Sequence, residues 1–145
     1  MSKVIEGGIP IEQIDIGMSA SYSQTITDAD VKQFAGISGD HNPIHIDEVY
    51  AADSRYGKRI AHGLITSSFF SGIFGTKLPG PGCVYASQQL QFKRPVYIGD
   101  TVTATVEVTR VDVEKRFVYF STICRVNNKI VTSGNAEIYI PKVKV

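Results

Sequence analysis

Two of the chain's three histidines lie beside an aspartate, in the run Asp40-His41-Asn42-Pro43-Ile44-His45. A carboxylate and an imidazole held by a proline-stiffened segment are suitable parts for general acid–base work. The same pattern also describes a surface Asx-Pro turn, and the residues alone leave both readings open. A metal reading starts from His41 and His45, four apart. Pro43 stands between them and Asn42 takes the place of the Glu of the helical zinc motif, so no metal is expected. A second cluster is His62-Gly63, where an apolar helix should begin. The first N–H groups of a helix lack internal partners and carry partial positive charge. A glycine there lets a ligand oxygen approach the backbone and makes an oxyanion site. It equally serves close packing. The chain has no Gly-x-Ser-x-Gly, Walker loop or Gly-x-Gly-x-x-Gly. Neither Cys83 nor Cys124 has a histidine nearby in sequence, so a covalent hydrolase is unsupported.

The elements that must hold these residues follow from periodicity. Residues 18–26 alternate through Met18, Ala20 and Tyr22 and predict a strand. Thr27 is a helix cap with Asp30 three residues on, a shortened capping box. Val31, Phe34, Ala35 and Ser38 then recur at helical spacing up to Gly39, predicting a helix over 28–38. Pro43 forbids continuation, and Asn42 is pushed towards extended backbone, so 40–45 reads as a rigid polar loop. Asp47 caps one more turn through Ala52. Residues 61–76 are apolar on most faces and predict a buried helix, with Gly63, Ser67, Ser68, Ser71 and Gly72 leaving room for close neighbours. Pro79-Gly80-Pro81-Gly82 is a tight loop. Four strands follow, over 83–92, 101–111, 117–126 and 130–140. Val102, Ala104, Val106 and Val108 share one face of the second, and Asn127-Asn128 forms a hairpin turn. The order is that of an α+β domain, with a strand, a polar loop, a buried helix and a four-strand antiparallel meander that must wrap the helix.

The chain has 145 residues, 43% hydrophobic and 20% charged, which is globular in composition and one domain in length. Residues 1–16 form an N-terminal extension that Ile9, Ile11, Ile14 and Ile16 can pin to a domain over 17–145. The formal charge of +1 lacks the basic footprint of a nucleic-acid binder. A domain this long buries about 70% of its extended-chain surface and needs no metal or disulfide staple. Two widely spaced cysteines suit reduced thiols in the cytoplasm. No signal peptide is expected, because the first eight residues contain no apolar run. The longest uncharged stretch, Ile60 to Thr76, is 17 residues rich in Gly, Ser and Thr. A membrane span needs roughly 20 mostly apolar residues, so none is expected.

Three segments together resemble the MaoC-like (R)-specific enoyl-CoA hydratases. Asp40-His41-Asn42-Pro43-Ile44-His45 is similar to that family's D-x-N-P-x-H motif, and Ala61-His62-Gly63 to its helix-start H-G. Phe92-Lys93-Arg94-Pro95-Val96-Tyr97-Ile98-Gly99-Asp100 is similar to its F-x-x-P-V-x-x-G-D segment. Order and spacing agree over about residues 17 to 140, and the length suits the short, single hot-dog members. The resemblance implies a hot-dog fold, with an antiparallel sheet wrapped around a central helix over about 63–76, in a homodimer or a dimer of such dimers. It implies reversible syn addition of water to a trans-2-enoyl-CoA, giving an (R)-3-hydroxyacyl-CoA, with no cofactor. Asp40 and His45 then form the catalytic pair and the Gly63 N–H holds the thioester oxygen.

The chemistry accounts for these residue types. Hydration needs a base for the water attacking C3 and an acid for C2, and one Asp–His pair gripping one water supplies both from one face. Charge developing on the thioester oxygen calls for a preorganised donor, whose loss typically costs about 3 kcal/mol. His62 is placed with the oxyanion and substrate-binding group. Ser71 either orients the dyad or packs. Asn42 shapes the loop or touches substrate, and His41 flanks the pocket. Lys93 and Arg94 either meet the coenzyme phosphates or remain a solvated pair. Three alternatives accompany this reading: a (3R)-hydroxyacyl-acyl-carrier-protein dehydratase, a hot-dog thioesterase, and a non-catalytic acyl-CoA-binding module. The first wants a basic rim, for which Arg55, Lys58, Arg59, Lys93 and Arg94 are available.

Overall fold

The computed structural model describes residues 7–143. Five antiparallel strands form one sheet, β1 (Ser19–Thr25), β2 (Val84–Phe92), β3 (Thr101–Asp112), β4 (Phe117–Val126) and β5 (Lys129–Tyr139). Four helices precede β2: α1 (Asp28–Ser38), α2 (Pro43–Ile46), α3 (Glu48–Ala52) and α4 (Gly63–Thr76). The alternation of apolar residues sets which face of the sheet is buried. Val102, Ala104, Val106 and Val108 of β3 join Val118, Phe120 and Cys124 of β4 and Val131, Ala136 and Ile138 of β5 in the core. There they receive Ile65, Phe69, Phe70, Ile73 and Phe74 of α4. Phe74 meets Phe120 edge-on at 4.8 Å between ring centres. Each such side chain contributes about 1.5–3 kcal/mol by leaving water, and together they fix α4 against the sheet.

Strand order across the sheet is β1-β3-β4-β5-β2. The expected four-strand meander is therefore only three strands long, β3-β4-β5. β2 lies at the far edge, paired with β5 in a register that runs from Val84↔Tyr139 to Phe92↔Thr132. The reason lies in the connection from β2 to β3. Residues 93–100 are too many for a tight hairpin and contain Pro95. They cross the start of α4, where Ala61 N–H donates to Val96 O at 2.7 Å and Ile60 bridges Tyr97. At the opposite edge β1 pairs with β3 through a ladder of hydroxyls, Ser21–Thr105, Ser23–Thr103 and Thr25–Thr101, at 2.7–2.9 Å. Such cross-strand pairs hold register where no apolar face does.

The expectations for α1, α3 and the β4–β5 turn hold. Thr27 accepts the Asp30 N–H while the Asp30 carboxylate accepts the Thr27 N–H, completing the capping box, and Gly39 ends α1 with φ of 79°. Asp47 caps α3 by accepting the Val49 and Tyr50 N–H groups. Asn127 and Asn128 turn β4 into β5 with φ of 50° and 65°. Helix α4 is buried along one face only. Gly63, Leu64, Ser68, Ser71 and Gly72 leave its other face open in the single chain. At the N-terminus Ile11 and Ile14 enter the core, Ile9 packs against it and Ile16 stays outside. The Gly8 and Ile9 N–H groups donate to Pro81 O and Pro79 O.

Candidate active site

After α1 the chain turns on hydrogen bonds made by its own short polar side chains. Ser38 Oγ donates to Phe34 O and accepts the Asp40 N–H. Asp40 Oδ1 accepts the Asn42 N–H at 3.1 Å, and Asn42 Oδ1 accepts the Ile44 N–H at 3.2 Å. The expected polar loop therefore contains a helical turn, α2, with Asn42 as its cap and Pro43 in the first turn. Proline is favoured at that position because its missing N–H has no helical partner anyway. The turn has a consequence for the site. It leaves Asp40 exposed and carries His45 inward, to 9% exposure.

His45 is fixed on both sides of its backbone and ring. Nδ1–H donates to Ile60 O at 2.7 Å, which assigns the proton to Nδ1 and leaves Nε2 with a free lone pair. The His45 carbonyl accepts Arg59 Nε–H at 2.6 Å. Arg59 in turn closes to 2.7 Å from Asp28 and 3.9 Å from Glu48, its side chain only 9% exposed. One guanidinium thus ties α1, α2 and α3 together. This corrects the basic rim expected above, because Arg59 faces inward and is already paired. The pKa of His45 is pushed below its usual 6.5 by burial above all, opposed by the Ile60 carbonyl and the Asp40 charge and aided by His62. The imidazole is therefore neutral near neutral pH, as a base must be.

His62 closes the cluster. Nε2–H donates to Asp40 O at 2.9 Å, and the ring stacks on His45 with centres 3.9 Å apart and planes 28° from parallel. One nitrogen or oxygen from each of Asp40, His45 and His62 falls within 4.8 Å of the others. The set is nonetheless poorly shaped for a metal ion. Both imidazoles would have to hold the ion in their own ring planes at about 2.0–2.1 Å, and stacked rings do not share such a point.

Asp40, His45, His62 and Gly63 all line one cavity of about 370 Å³, with Phe34, Thr66 and Phe92. Gly63 is the first residue of α4, and its neighbour His62 makes no side-chain cap. The leading N–H groups of a well-packed helix thus start at the cavity wall. Gly63 also serves packing, since a Cβ there would stand 2.6 Å from the Phe92 ring. Lys93 and Arg94 line the same cavity and are exposed, joined by Arg55. The remaining candidates fall elsewhere. The Asn42 side chain is used in capping α2, His41 donates to Gly39 O from an exposed position, and Ser71 lies on the open face of α4, outside the cavity lining. Sequence reasoning missed Arg59 as an internal clasp and the Ile60 carbonyl as the tautomer anchor. Neither has a local signal, because both act across 14 or 15 residues.

Comparison with known proteins gives concordant matches. The model for the "MaoC like domain" matches residues 12–133. An (R)-specific enoyl-CoA hydratase from Rhodospirillum rubrum is 50% identical over 130 residues, covering 90% of each chain. A 3-hydroxybutyryl-CoA dehydratase from Methylorubrum extorquens is 44% identical over 131 residues, covering 90% of this chain and 83% of that protein. Among solved structures, an (R)-hydratase from A. caviae superposes with a TM-score of 0.87 at 37% identity, over 90% of this chain and 99% of that one.

Proposed function

The chain belongs to the MaoC-like family and has its hot-dog fold, and we propose that it is an (R)-specific enoyl-CoA hydratase in which Asp40 and His45 are the acid–base pair. The observation that carries this reading is the meeting, on one cavity, of a neutral buried imidazole, a carboxylate and an uncapped helix start. Related proteins with that activity supply the reaction class.

The geometry supports the following course. A water held between the Asp40 carboxylate and His45 Nε2 is deprotonated as its oxygen adds to C3 of the enoyl thioester. Nε2 is the acceptor because Nδ1–H is committed to Ile60 O. The Gly63 N–H takes the charge that develops on the thioester oxygen. The proton removed from water is returned to C2 by the same pair, so water adds whole and both new bonds form on one face. The reverse order of events dehydrates the 3-hydroxyacyl thioester.

Arg55, Lys93 and Arg94 at the exposed edge of the cavity suit the phosphates of coenzyme A. The inward turn of Arg59 thins the cationic surface that an acidic carrier protein would use, which favours the coenzyme as carrier. Two features support a homodimer. Among the described residues strand β2 is a free sheet edge with Val84, Tyr85 and Phe92 exposed, and α4 shows an open face at Leu64 and Ser68. Cys83 and Cys124 are free thiols, which suits a reducing cytoplasm.

Purified protein is expected to bleach the enoyl-thioester absorbance of crotonyl-CoA faster than that of crotonyl-carrier protein, without releasing free thiol. Thiol release would indicate a thioesterase. Binding without turnover would indicate an acyl-CoA-binding module.

A further inference from the structure

His62 stands in a position that substrate binding does not account for. It is 3% exposed, and its ring touches both halves of the acid–base pair. Its Nε2–H holds the backbone of Asp40 at 2.9 Å. Its face lies on the His45 ring at 3.9 Å. Its other neighbour is Phe34 of α1, 4.7 Å away and tilted by 54°. The remaining nitrogen, Nδ1, is buried without a hydrogen-bond partner among the described residues.

We propose that His62 is a positioning residue for the acid–base pair, an imidazole that sets the Asp40 backbone with its edge and the His45 ring with its face. This rests on the reading of Asp40 and His45 given above and adds a role to it. The two dyad members come from different places, an exposed turn and a buried helical turn. Asp40 has no side-chain bond to His45 that would fix their separation. His45 has its Ile60 bond to set the direction of one nitrogen, but a single hydrogen bond leaves the ring free to rock about it. A flat ring against its face removes that freedom. The bond to Asp40 O places the carboxylate's backbone relative to the same ring. A misplacement of about 1 Å costs a reaction up to about 100-fold, so this double hold has a direct kinetic meaning.

Two variants separate the two halves of the role. His62→Gln keeps a donor where Nε2 stood and removes the plate. His62→Phe keeps the plate and removes the donor. Each is expected to lower kcat on crotonyl-CoA by about 10-fold while KM stays within about twofold, the signature of lost positioning rather than lost binding. The decisive arm repeats both changes on the Asp40→Asn, His45→Gln double variant. If His62 acts through the pair, neither change costs anything further once both members are gone. Full additivity on that background would place the effect elsewhere, such as the Gly63 N–H, and would overturn the proposal. So would a rise in KM with unchanged kcat, or normal kinetics in a folded His62→Gln protein. Should His62→Phe fail to fold, His62→Gln alone decides. An Asp40→Asn protein as active as the parent would instead remove the dyad reading, and this role with it.

Discussion

The sheet with α4 and the short layer from α1 to the start of α4 are held together by different forces. In the first, side chains such as Phe70, Phe120 and Ile138 are fully buried among apolar neighbours. Such contacts are non-directional and spread over many atoms. In the second, α2 and α3 are four and five residues long and bury only Ile44, His45 and Ala51. That layer keeps its shape through directed contacts, namely Asn42 on Ile44 N–H, Asp47 on Val49 N–H, Arg59 on His45 O, and His62 on Asp40 O. The packed half provides rigidity and the hydrogen-bonded half provides aim. A catalytic pair needs aim to within fractions of an ångström, which area-proportional burial does not specify.

The contrast can be broken at either end. Phe70→Ala should have the largest thermodynamic effect, lowering unfolding stability by about 3–5 kcal/mol in chemical denaturation. The protein that remains folded should turn over near the parental rate. Asp40→Asn and His45→Gln should do the reverse, each cutting kcat by at least about 100-fold with a nearly unchanged melting temperature. Arg59→Lys belongs between them. Lysine keeps the charge near Asp28 but lacks the fork that also reaches His45 O, so kcat should fall by about 10-fold and stability by about 1–3 kcal/mol through the stranded carbonyl. A rate loss in Phe70→Ala equal to that in Asp40→Asn would erase the distinction between the two halves.

The smallest effect is a pH dependence. His45 in the folded chain titrates below its ordinary 6.5, mainly through burial. As pH falls past about 6.5 the unfolded chain takes up this proton first, so acidification favours unfolding. The contribution is present in full above that pH and is lost as pH drops towards the folded value. Denaturation series should show the parent losing stability relative to His45→Gln over that window. The acid limb of turnover should likewise lie below 6.5.

What was legible in the sequence divides along the same line. Helix α1 announces itself through Thr27, Asp30 and Gly39, and β3 through four apolar residues in strict alternation, because both signals are local. The meeting of Asp40 and His45 on one cavity was legible through the spacing of Asp40, Pro43 and His45 and through the family resemblance. The position of β2 was not, since pairing across the sheet depends on where residues 93–100 cross α4, a long-range property. The turn at α2 escapes the rule that proline breaks a helix, because in the first turn Pro43 is a helix starter. Arg59 looked like a surface cation because no pattern within a few residues shows that Asp28 and the His45 carbonyl will surround it.

The most direct test is hydration of crotonyl-CoA in heavy water, with the product analysed at both carbons. A pair acting from one face predicts an (R)-3-hydroxybutyryl-CoA bearing deuterium at C2 on the same face as the new hydroxyl, with no free coenzyme thiol. Deuterium on the opposite face would contradict the assignment of Asp40 and His45 to a single water, and an (S) product or thiol release in place of hydration would contradict the proposed reaction.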